Sequence, residues 1–426
     1  MKVALISFHS FLKPGGVKRH ILGLYGEFKK RGIETKIIVP RRNWRENYGK
    51  DVILLGTSFP INFGGAQSDF DINFNPLAIE EVLKKEKFDI LHFHNLGFPS
   101  TLQILASPPV SSTLNILTFH ANIKGSKFLK RFPSFLYLLN KIVQWKIDGI
   151  IGVAPLTLKT FKNYKGSKIV IPNGIDLEKF NPKVPKLKKF SDSKINPFDK
   201  LRVNPEQRRR INILFVGRIE ERKGLIYLLK AFKILTQKLG GGWVASNLRL
   251  IIVGEGELKK QCQNYVKENN LKEVYFEEAK TGKELVSYYN SCDIFCAPSI
   301  FGESFGLVLL EAMACKKPVV AFANQGYLEL LKGKKGRILA KNRDFRDLAK
   351  KIEILIKNPK LRKEMGEWGI REAKKYSWPK IADQILGFYK ICQKQKEKRP
   401  PKPLFLKAIL NKVDAVLQKD ILDWLR

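Results

Sequence analysis

The stretch that decides the fold is Phe301-Gly302-Glu303-Ser304-Phe305-Gly306-Leu307-Val308-Leu309-Leu310-Glu311-Ala312-Met313-Ala314, which follows the apolar run Asp293–Ser299. That run, ended by Pro298, predicts a buried parallel strand. Residues Leu307–Ala314 suit a helix, so the stretch predicts a strand, a glycine-rich loop and a helix in succession. Such a loop offers free backbone N–H groups and the positive end of a helix dipole, which together favour a phosphate group.

Two carboxylates lie close to this predicted phosphate site. Glu303, on the loop, can accept hydrogen bonds from sugar hydroxyls, and Glu311, inside the helix, can accept them from a ribose. The alternative is a surface loop followed by an ordinary amphipathic helix. The residues around the two acids, Phe-Gly-Leu between them and Ala-Met-Ala after the second, resemble the signature of the family-4 retaining glycosyltransferases of the GT-B fold. This resemblance implies an α/β protein with two Rossmann-like, doubly wound parallel-sheet domains that face a cleft.

The chain length agrees with that architecture. A chain of 426 residues has room for two α/β domains of about 200 residues each. We expect an N-terminal acceptor-side domain over residues 1–180 and a basic interdomain linker over residues 181–210. We expect a nucleotide-sugar-binding domain over residues 211–378, a crossover helix over residues 379–395, and a Pro- and Lys-rich segment with an amphipathic tail helix over residues 396–426.

Charge and cysteine content indicate which partners the protein can attract and which redox compartment it occupies. The formal net charge is +38, from 78 Lys and Arg against 40 Asp and Glu. This surplus implies attraction to nucleic acid, anionic lipid headgroups or phosphorylated substrates without choosing among them, and a Lys-rich proteome is a further explanation. Five cysteines without a Cys-x-x-Cys pair predict buried small hydrophobic side chains in a reducing compartment.

We expect a cytoplasmic protein that is peripheral on the inner face of the cell membrane. Residues 1–8 predict a β-strand and not a signal peptide, and no run approaches the roughly 18 apolar residues of a transmembrane helix. The segment Lys124–Ile147 mixes basic and aromatic residues, which suits an interfacial membrane segment or a helix packed on its own domain. Apolar residues from Leu406 to Trp424 fall on one helical face, which suits a membrane-lying, a partner-binding or a folded-back helix.

The N-terminal half carries a glycine pair and several histidines. Gly16 lies at a predicted strand-to-helix turn, where glycine lets the backbone approach a ligand closely, although plain turns of this kind are common. His120 lies at the C-terminal end of a predicted strand, where open α/β sheets bind ligands. His92 and His94 alternate along another strand, so both imidazoles should lie on one face of the sheet. With no third ligand nearby in the sequence, we expect no metal there.

The second half carries a basic loop. Arg218 and Lys223 flank the loop after an apolar strand and can both reach a diphosphate, the arginine as a planar fork and the lysine as a point charge. The only Asp-x-Asp, Asp69-Phe70-Asp71, resembles the metal motif of the other glycosyltransferase fold. It is predicted to lie in a polar loop far from the basic loop in the sequence, and we interpret it as a coincidence.

The family resemblance covers residues 1 to about 390, and within the family the chain is most similar to bacterial phosphatidylinositol α-mannosyltransferases. Those enzymes transfer mannose from GDP-mannose to an inositol phospholipid at the inner membrane face. The resemblance implies catalytic roles for His120, Glu303, Arg218 and Lys223. It implies donor binding by Gly16, Arg218, Lys223, Glu303, Phe305, Gly306, Leu307, Val308 and Glu311. It implies acceptor binding by His9, Lys18 and Lys124, although His9 and Lys18 stand where that group has residues of other types.

The resemblance further implies transfer with retention and without a metal ion. It implies no cofactor, because the nucleotide diphosphate sugar is a co-substrate. Arg218, Lys223 and the Gly306 and Leu307 amides would stabilise the leaving diphosphate. A UDP-sugar-dependent transferase of envelope polysaccharide or glycolipid synthesis and a non-catalytic membrane-bound scaffold are the alternatives. A dinucleotide oxidoreductase is disfavoured because the first strand lacks a Gly-x-Gly-x-x-Gly after it. No recognisable nucleic-acid-binding module is present, so we expect no specific nucleic acid partner.

Overall fold

A computed structural model describes residues 1–12, 15–63, 66–97, 99–121, 133–190, 210–238, 248–331 and 337–398. The chain divides into two compact units, one formed by Met1–Gly174 together with the chain from Trp378 onward, the other by Ile175–Ser377. Part of the predicted linker packs into the second unit, because Phe190 is buried against Tyr275 and Tyr288. The remainder of that linker, residues 191–209, lies outside the described residues.

The first unit is built on an eight-stranded sheet in the order β4-β3-β2-β1-β5-β6-β7-β8. Its neighbouring strands are parallel except for the antiparallel pair β3 and β4. The strands are β1 (Lys2–Ser7), β2 (Glu34–Arg41), β3 (Val52–Phe63), β4 (Ala66–Ile72), β5 (Ile90–His94), β6 (Leu114–Phe119), β7 (Gly149–Gly152) and β8 (Ser167–Val170). Because β1 has β2 on one side and β5 on the other, the strand order reverses beside β1, and this is where open α/β sheets bind ligands.

Helices connect these strands on both faces of the sheet. They are α1 (Gly16–Lys30), α2 (Pro76–Glu86), α3 (Ser100–Ala106), α4 (Pro133–Lys146) and the short α5 (Pro155–Leu158). In α1, Ile21, Leu24 and Phe28 recur at helical spacing and are fully buried, which explains why this segment forms a helix packed on the sheet. The helix ends at Lys30, where two lysines in the last turn favour the negative end of the helix dipole.

The second unit is a six-stranded parallel sheet in the order β11-β10-β9-β12-β13-β14. Its strands are β9 (Ile211–Val216), β10 (Leu248–Val253), β11 (Val274–Glu277), β12 (Ile294–Ala297), β13 (Val319–Phe322) and β14 (Arg337–Ala340). Its helices are α6 (Leu225–Lys238), α7 (Lys259–Glu268), α8 (Gly282–Ser291), α9 (Leu307–Ala314), α10 (Gln325–Leu330), α11 (Phe345–Lys357) and α12 (Pro359–Ala373). The strand order reverses here between β9 and β12, so the loops after these two strands flank the expected ligand site.

The last described helix, α13 (Trp378–Glu397), belongs to the first unit. Its buried residues Ile381, Ile385 and Phe388 pack in one core cluster with Leu5 of β1 and Ile21 of α1. The indole of Trp378 fills the space beside two glycines, because a Cβ added at Gly23 or Gly174 would lie 2.1 or 2.5 Å from it. This helix therefore completes one face of the first sheet.

The structure differs from the sequence prediction at one edge strand and agrees with it for the cysteines. The predicted polar loop at Asp69-Phe70-Asp71 is wrong, because these residues lie in β4, paired antiparallel with Ser58, Phe59 and Pro60 of β3. This edge hairpin lacks the continuous apolar run of a central parallel strand, which is why the sequence pattern missed it. The expectation that all five cysteines are buried and not part of a disulfide framework is confirmed. Within the described residues, no helix combines the length and apolar character needed to cross a bilayer.

Candidate functional site

In the second unit, the loops after β9 and β12 are joined tightly at the switch point of the sheet. The amide of Ile300 donates to the carbonyl oxygen of Arg222 at 2.9 Å. Gly224 has a φ of +66°, and a Cβ there would lie 2.1 Å from the carbonyl oxygen of Pro298. Glycine is required at this position both for the left-handed backbone and for the close approach. The basic loop and the glycine-rich loop predicted from the sequence thus form one structural unit.

The centre of this site is the buried carboxylate of Glu303. Its Oε1 accepts hydrogen bonds from Lys223 Nζ at 2.6 Å and from Arg222 Nη1 at 2.9 Å. Burial alone raises the pKa of Glu303, but the adjacent Lys223 and Arg222 charges outweigh burial and lower the pKa to about 2. Burial also lowers the pKa of the Lys223 ammonium, which Glu303 only partly offsets. Glu303 is therefore ionised at neutral pH.

Arg218 and Lys223, the two residues predicted to bind the diphosphate, occupy different surroundings. Lys223 lies in the Glu303 cluster, whereas Arg218 is 44% exposed and pairs with Glu220 at 3.3 Å. Glu220 also pairs with Arg222 at 2.8 Å, so it links Arg218 to the buried cluster. Arg222 was not among the site residues predicted from the sequence. Its position directly before Lys223 in the same basic loop was the available signal.

The helix after the glycine-rich loop, α9, has no acidic side chain in its first turn that would occupy its free N-terminal amides. The N-cap of α9 is Gly306, whose φ of +95° is left-handed, and a Cβ there would lie 2.7 Å from the Tyr327 ring. No acidic residue lies in the first turn, and internal bonding begins with Leu309 N donating to the Gly306 carbonyl at 2.9 Å. The preceding amides of Leu307 and Val308 are thus the positive end of the helix dipole.

The other predicted donor residues lie around this helix. Phe305 is buried with its ring 5.5 Å from that of Tyr376, and Val308 is also buried. Glu311 lies deeper, 2% exposed, and accepts a hydrogen bond from the Tyr289 hydroxyl at 2.7 Å. Its role toward a ribose stays a prediction, and a ribose would meet a carboxylate that already has one donor.

In the first unit, the predicted acceptor residues lie near the C-terminal end of β1. The Nδ1 atom of His9 lies 3.2 Å from Asp69 Oδ2, and Asp69 also pairs with Arg42. Lys18 donates to the carbonyl oxygen of Phe11. Gly16 is the exposed first residue of α1, and Lys124 lies outside the described residues.

Asp71, the second acid of the Asp-x-Asp, has a different environment from Asp69. It is 1% exposed and accepts a hydrogen bond from Ser100. Burial, and secondarily the charge of Asp69, raises the pKa of Asp71 to about 8. One acid of the pair is therefore matched by cations and the other is protonated near neutrality, so the pair is a poor ligand set for Mg²⁺.

Other possible metal-ligating residues lie near the His-x-His in space, although none is near it in the sequence. The rings of His92 and His94 are stacked with centroids 4.3 Å apart, which confirms that both lie on one face. His20 of α1 and His120 at the end of β6 converge on His94, and one nitrogen from each of these three lies within 4.8 Å of the others. No local sequence pattern indicated this cluster, because the three histidines come from segments far apart in the chain.

The backbone around His120 is fixed by a neighbouring strand end. The amide of His120 donates to Asn95 Oδ1 at 2.6 Å, and Asn95 follows β5 with a left-handed φ of +68°. Burial lowers the pKa of His20 to about 4 and lowers those of His92, His94 and His120 well below the usual value. All four imidazoles are consequently neutral at physiological pH.

Comparison with known proteins agrees with this arrangement. Residues 14–179 match the family model described as Glycosyltransferase Family 4, and residues 198–372 match the model described as Glycosyl transferases group 1. The phosphatidyl-myo-inositol mannosyltransferase of Mycobacterium leprae is 28% identical over 402 residues, which cover 91% of this chain and 96% of that protein.

Solved structures with the same fold extend the comparison. Sucrose-phosphate synthase of Thermosynechococcus elongatus superposes with a TM-score of 0.69 at 19% identity, covering 91% of this chain and 98% of that one. Anabaena HepE in complex with UDP-glucose superposes with a TM-score of 0.68 at 16% identity, covering 92% and 99%. The predicted α/β fold class is confirmed. The chain is therefore a GT-B glycosyltransferase, made of a family 4 domain followed by a group 1 glycosyltransferase domain.

Proposed function

We propose that this chain transfers mannose from GDP-mannose to the headgroup of phosphatidylinositol, with retention of the anomeric configuration and without a metal ion. The similarity to the Mycobacterium leprae mannosyltransferase supports the sugar and the acceptor. The observation that carries the proposal is the Glu303 carboxylate, held by Lys223 and Arg222 directly before the N-terminus of α9. This arrangement combines a fixed acceptor for sugar hydroxyls with a concentration of positive charge.

Electrostatics favour a leaving diphosphate at this place. Three cations, Arg218, Arg222 and Lys223, face two carboxylates, Glu220 and Glu303, which leaves a net charge of +1 before the helix dipole is counted. A nucleotide diphosphate that leaves the sugar gains negative charge, and preorganised positive groups in a buried site lower the energy of that step. Glu303 holds the sugar and Glu311 the ribose.

In this proposal the acceptor hydroxyl attacks on the face from which the diphosphate departs, so the configuration is retained without a covalent glycosyl-enzyme. His120 stabilises the positive charge that develops near the anomeric centre. Its low pKa supports that role, because a neutral imidazole does not repel a developing cation. His9, Lys18 and Lys124 recognise the acceptor.

The metal-free part of the proposal rests on charge. Lys223, Arg222 and the α9 amides supply the positive charge that a divalent cation provides in other transferases, and the Asp69-x-Asp71 pair is poorly suited to Mg²⁺. Addition of EDTA should leave the transfer rate undiminished. A rate that falls with EDTA and returns with Mg²⁺ would contradict this part.

In this proposal the enzyme acts at the inner face of the cell membrane, where its acceptor lies. An exposed aromatic residue of α4, Tyr137, lies under the ammonium of Lys141, with 5.3 Å between Nζ and the ring centroid. Aromatic and basic side chains together suit the headgroup region of an anionic bilayer. The net charge of +38 adds long-range attraction to such a surface.

The test is thermal unfolding with GDP-mannose, UDP-glucose and UDP-N-acetylglucosamine, for the wild type and Lys223→Ala. A ligand at a hundred times its dissociation constant stabilises by about 2.7 kcal/mol, which corresponds to a rise of about 5–10 °C for a domain of this size. The matched control is Lys259→Ala, because Lys259 makes an ion pair of the same 2.6 Å length with the exposed Glu255.

We expect GDP-mannose to raise the unfolding temperature of the wild type and of Lys259→Ala but not of Lys223→Ala. Transfer of radiolabelled mannose to phosphatidylinositol vesicles then tests the acceptor. A shift with a UDP-sugar alone would leave the fold and the diphosphate-binding role of Lys223 standing. It would contradict GDP-mannose as the donor. The absence of a shift with every nucleotide sugar would favour the non-catalytic scaffold.

A further inference from the structure

The strongest feature outside the proposed donor site is the histidine cluster in the first unit. We propose that His20, His94 and His120 form a binding site for Zn²⁺. One nitrogen of each imidazole lies within 4.8 Å of the other two, and His94 Nδ1 lies 3.2 Å from His120 Nε2. Zinc binds histidine nitrogens at about 2.0–2.1 Å, which sets tetrahedral ligands about 3.3 Å apart. Each nitrogen must therefore move by less than about 1 Å toward a shared ion.

The hydrogen bonding of these residues points to a missing partner. His20 is 2% exposed, and in the described part of the chain its ring nitrogens make no hydrogen bond beyond a weak contact with the Asn173 side chain. His94 is fully buried, and its Nε2 is unpartnered in that part of the chain. Buried polar atoms are normally hydrogen-bonded, so a cluster of them calls for a specific ligand. His120 is partly exposed, so an ion can reach the cluster from its side.

The fourth histidine of the region, His92, is excluded as a ligand. Its Nδ1 lies 2.6 Å from the hydroxyl of Tyr389, and its Nε2 lies 2.6 Å from the hydroxyl of Thr118. Both nitrogens are therefore occupied. The ring instead stacks on His94 and fixes the orientation of that ligand. This role matches the outer-shell residues that orient the ligands of known metal sites.

A polar group for the other side of the ligand rings is also present. Asn173 is buried, and its side chain lies beside His20 and His120, where it favours the protonated form of both rings. A histidine that binds a metal through one nitrogen donates the N–H of the other to a nearby oxygen. Asn173 supplies such an oxygen.

The donor set favours late transition-metal ions, the class that includes Zn²⁺. Three imidazoles suit Zn²⁺, Cu²⁺ or Ni²⁺, whereas Mg²⁺ and Ca²⁺ prefer oxygen ligands. Three neutral ligands leave the fourth position to water, and zinc lowers the pKa of that water enough for hydroxide to offset part of the ionic charge.

A consequence follows for turnover, and it rests on the proposed function. His120 is the residue assigned to the developing charge at the anomeric centre, and a bound Zn²⁺ occupies its ring nitrogen and adds positive charge there. Zinc should therefore inhibit transfer, and EDTA should restore it. Metal binding itself does not depend on the proposed function, because it is measured without any sugar.

The test uses the full chain and Co²⁺, a spectroscopic substitute for Zn²⁺. Visible absorption reports tetrahedral nitrogen coordination, and a near-ultraviolet sulfur-to-cobalt band would reveal binding by cysteine. Competition of Zn²⁺ against a chromogenic chelator then gives the zinc affinity. The variants are His20→Phe and His94→Phe, which keep an aromatic ring in the packing. The control is His9→Phe, because His9 lies outside the cluster and is the remaining histidine apart from His92 and His120.

We expect one tetrahedral Co²⁺ per chain and a zinc affinity that falls at least about 100-fold in His20→Phe and His94→Phe, since even outer-shell changes cost 10–100-fold. His9→Phe should bind like the wild type. If His20→Phe fails to fold by circular dichroism, His94→Phe decides. A sulfur-to-cobalt band, no binding, or affinity unchanged in a folded cluster variant would overturn the proposal. Zinc binding without inhibition would leave the site standing and refute only the role of His120.

Discussion

Replacing Glu303 by glutamine removes one negative charge from a buried group of three and leaves the Lys223 and Arg222 cations without their shared counter-charge. The pKa of Glu303 falls from an ordinary 4.5 to about 2 in the folded chain. At 1.36 kcal/mol per pKa unit, this difference corresponds to about 3 kcal/mol of stability at neutral pH. The size agrees with the 3–5 kcal/mol typical of breaking a buried ion pair.

The assay is thermal unfolding of Glu303→Gln followed by circular dichroism. A loss of about 3 kcal/mol should lower the unfolding temperature of the second unit by about 6–12 °C. Glu255→Gln is the control, because Glu255 pairs with Lys259 at the same 2.6 Å but is half exposed. An exposed pair of this kind contributes less than about 1 kcal/mol, so its removal should shift the transition by at most a few degrees.

The sign of the pH dependence gives a second check. A carboxylate whose pKa is lowered on folding stabilises fully above its unfolded pKa, and that contribution is lost as the pH falls through the folded pKa. The difference between wild type and Glu303→Gln should therefore shrink between about pH 4.5 and pH 2. Equal unfolding temperatures for Glu303→Gln and Glu255→Gln at pH 7 would refute the assignment of a buried, charge-matched Glu303.

A double variant separates stability from catalysis. Adding Lys223→Met to Glu303→Gln removes one unmatched cation, so part of the lost stability should return. Transfer activity should not return, because the proposed function needs both the carboxylate and the ammonium. Recovery of activity together with stability would mean that Glu303 acts only through folding.

Three further changes test other parts of the structure. Asp71→Asn should flatten the dependence of the unfolding free energy on pH, because the raised pKa of Asp71 makes the wild type lose a few kcal/mol as the pH rises from about 4 to 8. Equal slopes of stability against pH for the two proteins in calorimetry would contradict this. Gly306→Ala should lower donor affinity and stability together, because a methyl group there meets the Tyr327 ring and the left-handed backbone is unfavourable for alanine. A donor affinity equal to that of the wild type in titrations would contradict it. Tyr137→Ser should weaken co-sedimentation with anionic vesicles, since Tyr137 is 59% exposed. Unaltered co-sedimentation would contradict a contact between α4 and the membrane surface.

The loop before α9 shows what sequence reasoning could achieve. A buried strand, a glycine-rich loop and a helix were predicted there, and the structure has β12, the loop and α9 in the expected order. The periodic and apolar patterns of these elements are local, so they can be read from adjacent residues. The pairing of Glu303 with Arg222 could not, because it depends on two loops separated by about 80 residues and joined only by the order of β9 and β12.

The first unit shows the same limit. The edge strand β4 was missed because an antiparallel edge carries a weaker apolar signal than a central parallel strand. The convergence of His20, His94 and His120 depends on how α1 and two strand ends meet in space. Such a cluster is visible only after the fold is known, even though each histidine is plain in the sequence.

The position of α13 in the first unit imposes an order on biosynthesis. The ribosome makes residues 1–174 first, but the helix that covers one face of their sheet begins only at Trp378, after all of Ile175–Ser377 has been synthesised. At roughly 5–20 residues per second, that interval is about 10–40 s. During it, Leu5, Ile21 and Phe28 lack their partners Ile385 and Phe388. The nascent chain therefore carries an open apolar face for tens of seconds, which makes the first unit the part that depends most on chaperone protection and the last to reach its native state.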